Sequence, residues 1–185
     1  MKLSALIVGL GIWMAGGAFV YATDPPAIWI DVPYVSQTKE GCGAAAISMV
    51  MKYWAKQAGK PETAEMVAER IQKLLYSPKQ KGIPASAMEK YFQDKGYRTF
   101  AFRGEWSDLR NHLGKGRPLI VCLKASGDHG PLHYVVVVGL DEARGYVFLN
   151  DPAVDKMLRI SRTGFQEEWD LAKNWTLLAV PSEAK

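Results

Sequence analysis

Charge of one sign is nowhere concentrated in this chain. Its 23 lysines and arginines are interspersed with 19 acidic residues through most of 185 positions, and the densest basic stretch, Lys79-Gln80-Lys81 with Arg70 and Lys73 nearby, reads as a solvated helix end and loop. Nucleic acid is excluded as a partner, because it needs a clustered basic face. Internal repeats and low-complexity segments are missing too. Cysteine is scarce: Cys42 and Cys122 are the only two, so one disulfide is the most that can form. What remains is ordinary. Apolar residues at 48% and charged residues at 23% fit a globular protein, and the length is enough for one domain with its own core, not two.

One long apolar run stands at the start. Lys2 gives a short positive beginning, Leu3 to Val20 is almost wholly apolar, and Val20-Tyr21-Ala22 offers small residues where signal peptidase could cut. Residues 1–22 therefore read as a signal peptide, with an uncleaved N-terminal anchor as the rival, since a spanning helix needs about 20 apolar residues. Either way export is expected, to the periplasm or the extracellular space, and contact with a membrane only through that segment. No cysteine near its end is available for lipid attachment. Residues 23–29, with Asp24-Pro25-Pro26, read as an extended linker, and 30–185 as the folded domain.

Within the domain, Ile30, Val32 and Tyr34 alternate with Asp31 and Pro33 and predict a short edge strand. Ile47, Val50, Met51 and Trp54 recur at helical spacing and predict a helix over 43–58. Pro61 opens a predicted second helix to Tyr76, with Val67, Ile71, Leu74 and Leu75 facing the core. A third starts at a Ser86-x-x-Glu89 capping box and stops at Gly96, and Asp108 to Leu113 makes a fourth. From Tyr97 onward the pattern changes to strands, at 98–102, 118–124, 133–140, 146–150, 156–160 and 176–180, with a helix over 165–172 capped by Ser161 or Thr163. Helices first and strands later indicate an α+β domain with an antiparallel sheet.

The chemistry centres on Cys42, set between Gly41 and Gly43 at the start of the clearest helix. A thiol there meets the helix dipole and free backbone donors, both of which favour thiolate, and the glycines let a substrate backbone approach. His133 leads a strand, Tyr134 to Gly139, apolar enough for burial on both faces, which suits a general base that must reach a nucleophile on another element. Asp151 ends the next strand. A hairpin around Arg144-Gly145 brings that carboxylate beside the imidazole, where it would fix the tautomer and stabilise imidazolium. Gln37, five residues before Cys42, could donate its amide to an oxyanion beside the Cys42 N–H. His112 and His129 are weaker candidates, and Cys122, mid-strand, reads as a buried small hydrophobe, although a Cys42–Cys122 disulfide would block the nucleophile.

The order Gln37, Cys42-Gly43 and its helix, His133-Tyr134 to Gly139, then Asn150-Asp151-Pro152 resembles the double-glycine leader peptidases that process bacteriocin precursors, and their stand-alone relatives. The resemblance implies a papain-like fold with N-terminal helices packed on a C-terminal antiparallel sheet, thiol endopeptidase activity, and Gln37 in the oxyanion hole. It differs in two respects. Family members often carry an acid immediately before the cysteine, where this chain has Gly41 and then Glu40 one place earlier. The bacteriocin-processing members are commonly the first domain of a membrane exporter facing the cytoplasm, whereas an export signal here makes exported stand-alone relatives the nearer comparison. The expectation is an exported cysteine peptidase, a monomer, needing no metal or organic cofactor and acting on a protein or peptide. A non-catalytic peptide-binding module on the same scaffold is one alternative. A cell-wall amidase or γ-glutamyl transferase using the same thiol chemistry is another.

Overall fold

Valine at four consecutive positions, Val135 to Val138, builds the middle of the fold. In the computed structural model, which describes residues 26–124 and 131–182, they lie in a ten-residue strand, Leu132–Asp141. Successive strand side chains point to opposite faces. Val136 and Val138 join Ile120, Leu177 and Ala179 under one set of helices, and Val135 and Val137 join Leu119, Val121, Leu123 and Leu178 under another. Both faces are buried, which is why the run carries no polar alternation. The predicted signal segment at 1–22, the start of the linker, and the 125–130 loop with His129 lie outside the described residues.

In chain order the elements are β1 (Ile28–Trp29), α1 (Cys42–Gln57), a 3-10 turn (Ala64–Met66), α2 (Ala68–Leu75), α3 (Ala85–Asp94), β2 (Tyr97–Arg103), α4 (Trp106–Leu113), β3 (Leu119–Lys124), β4 (Leu132–Asp141), β5 (Tyr146–Asp151), β6 (Asp155–Ser161), α5 (Arg162–Leu171) and β7 (Trp175–Pro181). The sheet runs β2-β7-β3-β4-β5-β6, every pairing antiparallel, with β1 adding to β4 beyond the end of β3. This is the expected α+β, papain-like architecture. One refinement is that helices cover both faces: α1 to α3 pack on one, and α4 and α5, through Leu109, Leu113, Phe165 and Trp169, on the other. Among the described residues no helix is long and apolar enough to cross a membrane.

The six later strands and the helix behind Ser161, whose hydroxyl accepts from the Gly164 N–H at 3.1 Å, fall where the sequence puts them. Three local expectations do not hold. The first strand is Ile28–Trp29, inside the predicted linker; the Ile30 N–H still bonds to Val138 O at 2.8 Å, but the Val32 N–H turns back onto Ile30 O at 3.0 Å and ends the ladder. The helix predicted over 61–76 is broken at Val67, which is extended at φ −79°, ψ 120°. There the carbonyls of Glu65 and Met66 accept side-chain hydroxyls, from Tyr91 at 2.7 Å and from Ser48, instead of continuing a helix. Ile71 is fully buried, whereas Val67 and Leu74 face solvent. At α3, Pro84 caps without a side-chain bond, and the reciprocal capping box belongs to α4, built by Glu105 and Asp108.

Asn150 ties the end of β5 to its surroundings. It is fully buried, donates from Nδ2 to Val32 O at 3.0 Å and accepts from the Met157 N–H at 3.1 Å, across a register shift between Leu149 and Asp151. Asn150→Ala is expected to destabilise the fold by about 2–3 kcal/mol, because it leaves the Val32 carbonyl and the Met157 N–H without partners. The measurement is urea unfolding, with a lower midpoint at unchanged slope; a midpoint equal to wild type would show the amide to be idle.

Candidate active site

Three elements meet at one end of the β4–β5 hairpin, opposite its 142–145 turn. Cys42 is the first residue of α1, His133 the second of β4 and Asp151 the last of β5. α1 is buried over most of its length, from Ala44 through Met51, and is anchored by Trp54 Nε1 donating to Ala179 O at 2.9 Å and the Tyr53 hydroxyl donating to Gly116 O at 2.7 Å. The nucleophile is thus carried by a fixed element.

His133 connects the other two. Its Nε2 lies 2.7 Å from Asp151 Oδ1, and it lines the same cleft as the Cys42 thiol, near enough that each shifts the other's pKa. Asp151 Oδ1 accepts the Ala153 N–H at 2.8 Å as well, and the Tyr34 hydroxyl donates to the Asp151 carbonyl at 3.2 Å. Each member feels burial first and its partners second. Burial pushes the Cys42 thiol up, but the His133 bond and charge, with backbone N–H groups of Tyr134 and Gly43, bring it below the usual thiol value. Burial pushes His133 down, and Asp151 and Cys42 raise it to about 9. Burial pushes the Asp151 carboxyl up, and His133 with the Ala153 and Val154 N–H groups lowers it below the ordinary carboxylate value. All three shifts favour a thiolate–imidazolium–carboxylate row.

Gln37 reaches the same place. Its N–H donates to Pro152 O at 2.8 Å, and it lines a cleft of about 430 Å³ together with Cys42, His133 and Asp151. Its Oε1 is buried and accepts no hydrogen bond among the described residues. The unpaired atom is an acceptor, so it calls for a donor such as an N–H; an oxyanion would be served by the Nε2 end instead. Cys42 at a helix start adds N–H groups without intrahelical acceptors. Leu132 and Val154, both well exposed, and Glu168 of α5 border the cleft.

The flanking glycines also sit against close neighbours. A Cβ at Gly43 would lie 3.1 Å from Ile83 Cβ, and at Gly41 2.8 Å from Gln72 Oε1 and 2.9 Å from Thr38 Oγ1. A side chain at either position would make these neighbours shift. Gln72 and Thr38 also fill the space an acid at position 41 would need, while Glu40 sits on the cleft wall in a left-handed conformation, φ 56°.

The remaining candidates lie elsewhere. His112 packs its ring against Phe102, and burial, then Arg117, pulls its pKa down. Cys122 is buried in β3 with its thiol pushed up to about 12 by burial. Both cysteines are free, so the disulfide alternative is not realised. Tyr34, Gln72 and Glu168 carry no site signal in the sequence: Tyr34 reads there only as an apolar position of the predicted edge strand, and Gln72 and Glu168 as ordinary polar residues of predicted helices. Among the described residues no group of three His, Cys, Asp or Glu side chains is arranged to hold a metal ion.

Solved structures share this fold. The peptidase domain of Streptococcus ComA, a bifunctional ABC transporter involved in quorum sensing, is 23% identical with a TM-score of 0.62, over 82% of this chain and 100% of that one. A double glycine motif protease from an AMS/PCAT transporter, solved with its leader peptide, is 22% identical with a TM-score of 0.63, over 83% and 94%. A C39-like peptidase from Bacillus anthracis is 14% identical with a TM-score of 0.62, over 86% and 100%. No curated protein matches the sequence. The Peptidase_C39 like family matches residues 29–176, most of the chain and every residue of the Cys42 cleft named above, and the protein accordingly belongs to that family of cysteine peptidases, hydrolases acting on peptide bonds.

Proposed function

We propose that the protein is an exported thiol endopeptidase that cuts a peptide bond in a secreted or envelope protein through an acyl-enzyme on Cys42. The observation that carries this reading is His133, held by Asp151 at 2.7 Å and set in one cleft with Cys42. The Cys42 thiolate attacks the scissile carbonyl carbon and a C–S bond forms. The oxyanion accepts from the Cys42 N–H and the Gln37 amide. Imidazolium His133 then gives its proton to the leaving amine as the C–N bond breaks. In the second half His133 takes a proton from water, hydroxide adds to the thioester, and the C–S bond breaks to release the carboxylate product. Asp151 holds the ring and stabilises its charged form throughout.

Substrate class follows from two supports. The cleft of about 430 Å³ carries apolar Leu132 and Val154 on its border, and a structural neighbour of the same fold was solved with a leader peptide bound. Export rests on the apolar run of residues 3–20, and it places the substrate outside the cytoplasm.

Iodoacetamide alkylation across pH tests the activated thiol. Cys42 should label well below pH 8, Cys122 should stay silent, and His133→Ala should move labelling to or above the ordinary thiol range near 8.5. Labelling that ignores His133 would instead favour the non-catalytic module.

Peptide hydrolysis supplies a second check. Attack needs thiolate, present above the lowered Cys42 pKa, and departure of the amine needs imidazolium, lost as pH rises through about 9. The rate should therefore be bell-shaped, the two limbs belonging to the coupled pair. Cys42→Ala and His133→Ala should abolish turnover with the fold intact, and Asp151→Ala should reduce it by about 10²- to 10⁴-fold. Full activity in a verified Cys42→Ala protein is the outcome that overturns the mechanism. Cleavage of peptidoglycan or glutathione with none of protein would point to the amidase or transferase.

A further inference from the structure

Residues 37–41 carry the oxyanion donor at one end and deliver Cys42 at the other, yet they belong to no helix or strand. Backbone bonds secure this strap at its two ends, from the Gln37 N–H to Pro152 O at 2.8 Å and, at Gly41, from its N–H to Thr38 O at 2.9 Å and from the Ala45 N–H to its carbonyl at 3.0 Å. Everything between is held by α2 and the residue that follows it. Gln72 Nε2 donates to Lys39 O at 2.8 Å, and its Oε1 accepts the Thr38 hydroxyl. One turn further, the Tyr76 hydroxyl donates to the Glu40 carboxylate. A single amide thus uses both ends on consecutive strap residues. The strap is also under constraint: Glu40 is left-handed at φ 56°, a conformation that persists in a non-glycine residue only where neighbours enforce it. Gly41 leaves just 2.8 Å between a would-be Cβ and Gln72 Oε1, so helix and strap are in full contact.

We infer that Gln72 and Tyr76 are positioning residues for the oxyanion site, clamping the strap so that Gln37 and the Cys42 N–H stay aimed at one point. The inference rests on the peptidase reading of Cys42 and Gln37. It names two side chains that touch neither substrate nor reacting atoms and act through the strap alone. Its signature follows from chemistry. Acyl transfer to the thiolate builds charge on a carbonyl oxygen, and donors misplaced by a fraction of an ångström stabilise that charge poorly. Alkylation by iodoacetamide joins sulfur to a CH₂ carbon as iodide leaves, and builds no oxyanion. A loosened clamp should slow the first reaction and spare the second.

The test uses p-nitrophenyl acetate, whose acetyl group passes to Cys42 with loss of p-nitrophenolate and then to water as acetate. In Gln72→Ala, kcat for this ester should fall about 10-fold with KM within about twofold, while the iodoacetamide rate and its pH midpoint stay as in wild type. In the Gln37→Ala/Gln72→Ala double variant the loss should be clearly smaller than the product of the two single losses, because much of the clamp's effect runs through Gln37. Single effects that multiply in the double variant, or equal losses of acylation and alkylation, would overturn the clamp. Should Gln72→Ala fail to fold, Tyr76→Phe keeps the ring and removes the hydroxyl; it should show the same split, and wild-type acylation there sinks the inference. Ester hydrolysis that survives in Cys42→Ala, or is absent from the wild type, refutes the peptidase reading itself. Cys42-dependent hydrolysis indifferent to Gln72 and Tyr76 refutes only the clamp.

Discussion

The 2.7 Å contact between His133 and Asp151 is a bond between groups that burial would prefer to neutralise. A half-buried imidazole with nothing behind it would lose its proton, and the thiol in front of it would keep one. With the carboxylate in place the balance reverses for all three groups, because the gain from pairing and hydrogen bonding exceeds the desolvation that opposes it. The protein's task is then geometric: keep the ends of two strands and the start of a helix at hydrogen-bond distance from one another.

Much of the architecture can be understood as meeting that demand. The valine run of β4, buried on both faces, anchors His133. Asn150 grips the segment before α1 and the start of β6 at once, so the chain that bears Asp151 cannot drift from the sheet. Tyr34 and Gln37, from the same pre-helical segment, bond to the Asp151 and Pro152 carbonyls. The segment between β1 and α1, irregular in backbone, is therefore among the most heavily bonded parts of the site. Regular structure supplies rigidity for Cys42, His133 and Asp151, and side-chain bonds supply it for the segment that bears Gln37, where the backbone has none.

Elements built from long-period patterns were legible in the sequence. The apolar, largely β-branched runs of β3, β4, β5 and β7 and the apolar face of α1 located the strands and the central helix to within a residue or two, and the positions of Cys42, His133 and Asp151 relative to those elements followed. Features decided by a partner distant in sequence were not legible. The break at Val67 depends on hydroxyls from Ser48 and Tyr91, the end of the β1 segment depends on a turn at Ile30–Val32, and the close fit at Gly41 depends on Gln72. Local propensity carries no information about such contacts, and a glutamine on a short helix looks the same whether it holds a loop or meets water.

The burial of α1 has a further consequence for how the molecule breathes. Its residues from Ala44 through Met51 lie between the sheet and two other helices, so the helix has no inexpensive partial opening and should belong to the last cooperative unit to come apart. The nucleophile therefore shares the stability of the whole domain, and fluctuations that admit or release a substrate are left to the cleft's border rather than to its floor. That arrangement makes the working cysteine as hard to unfold and digest as the protein itself.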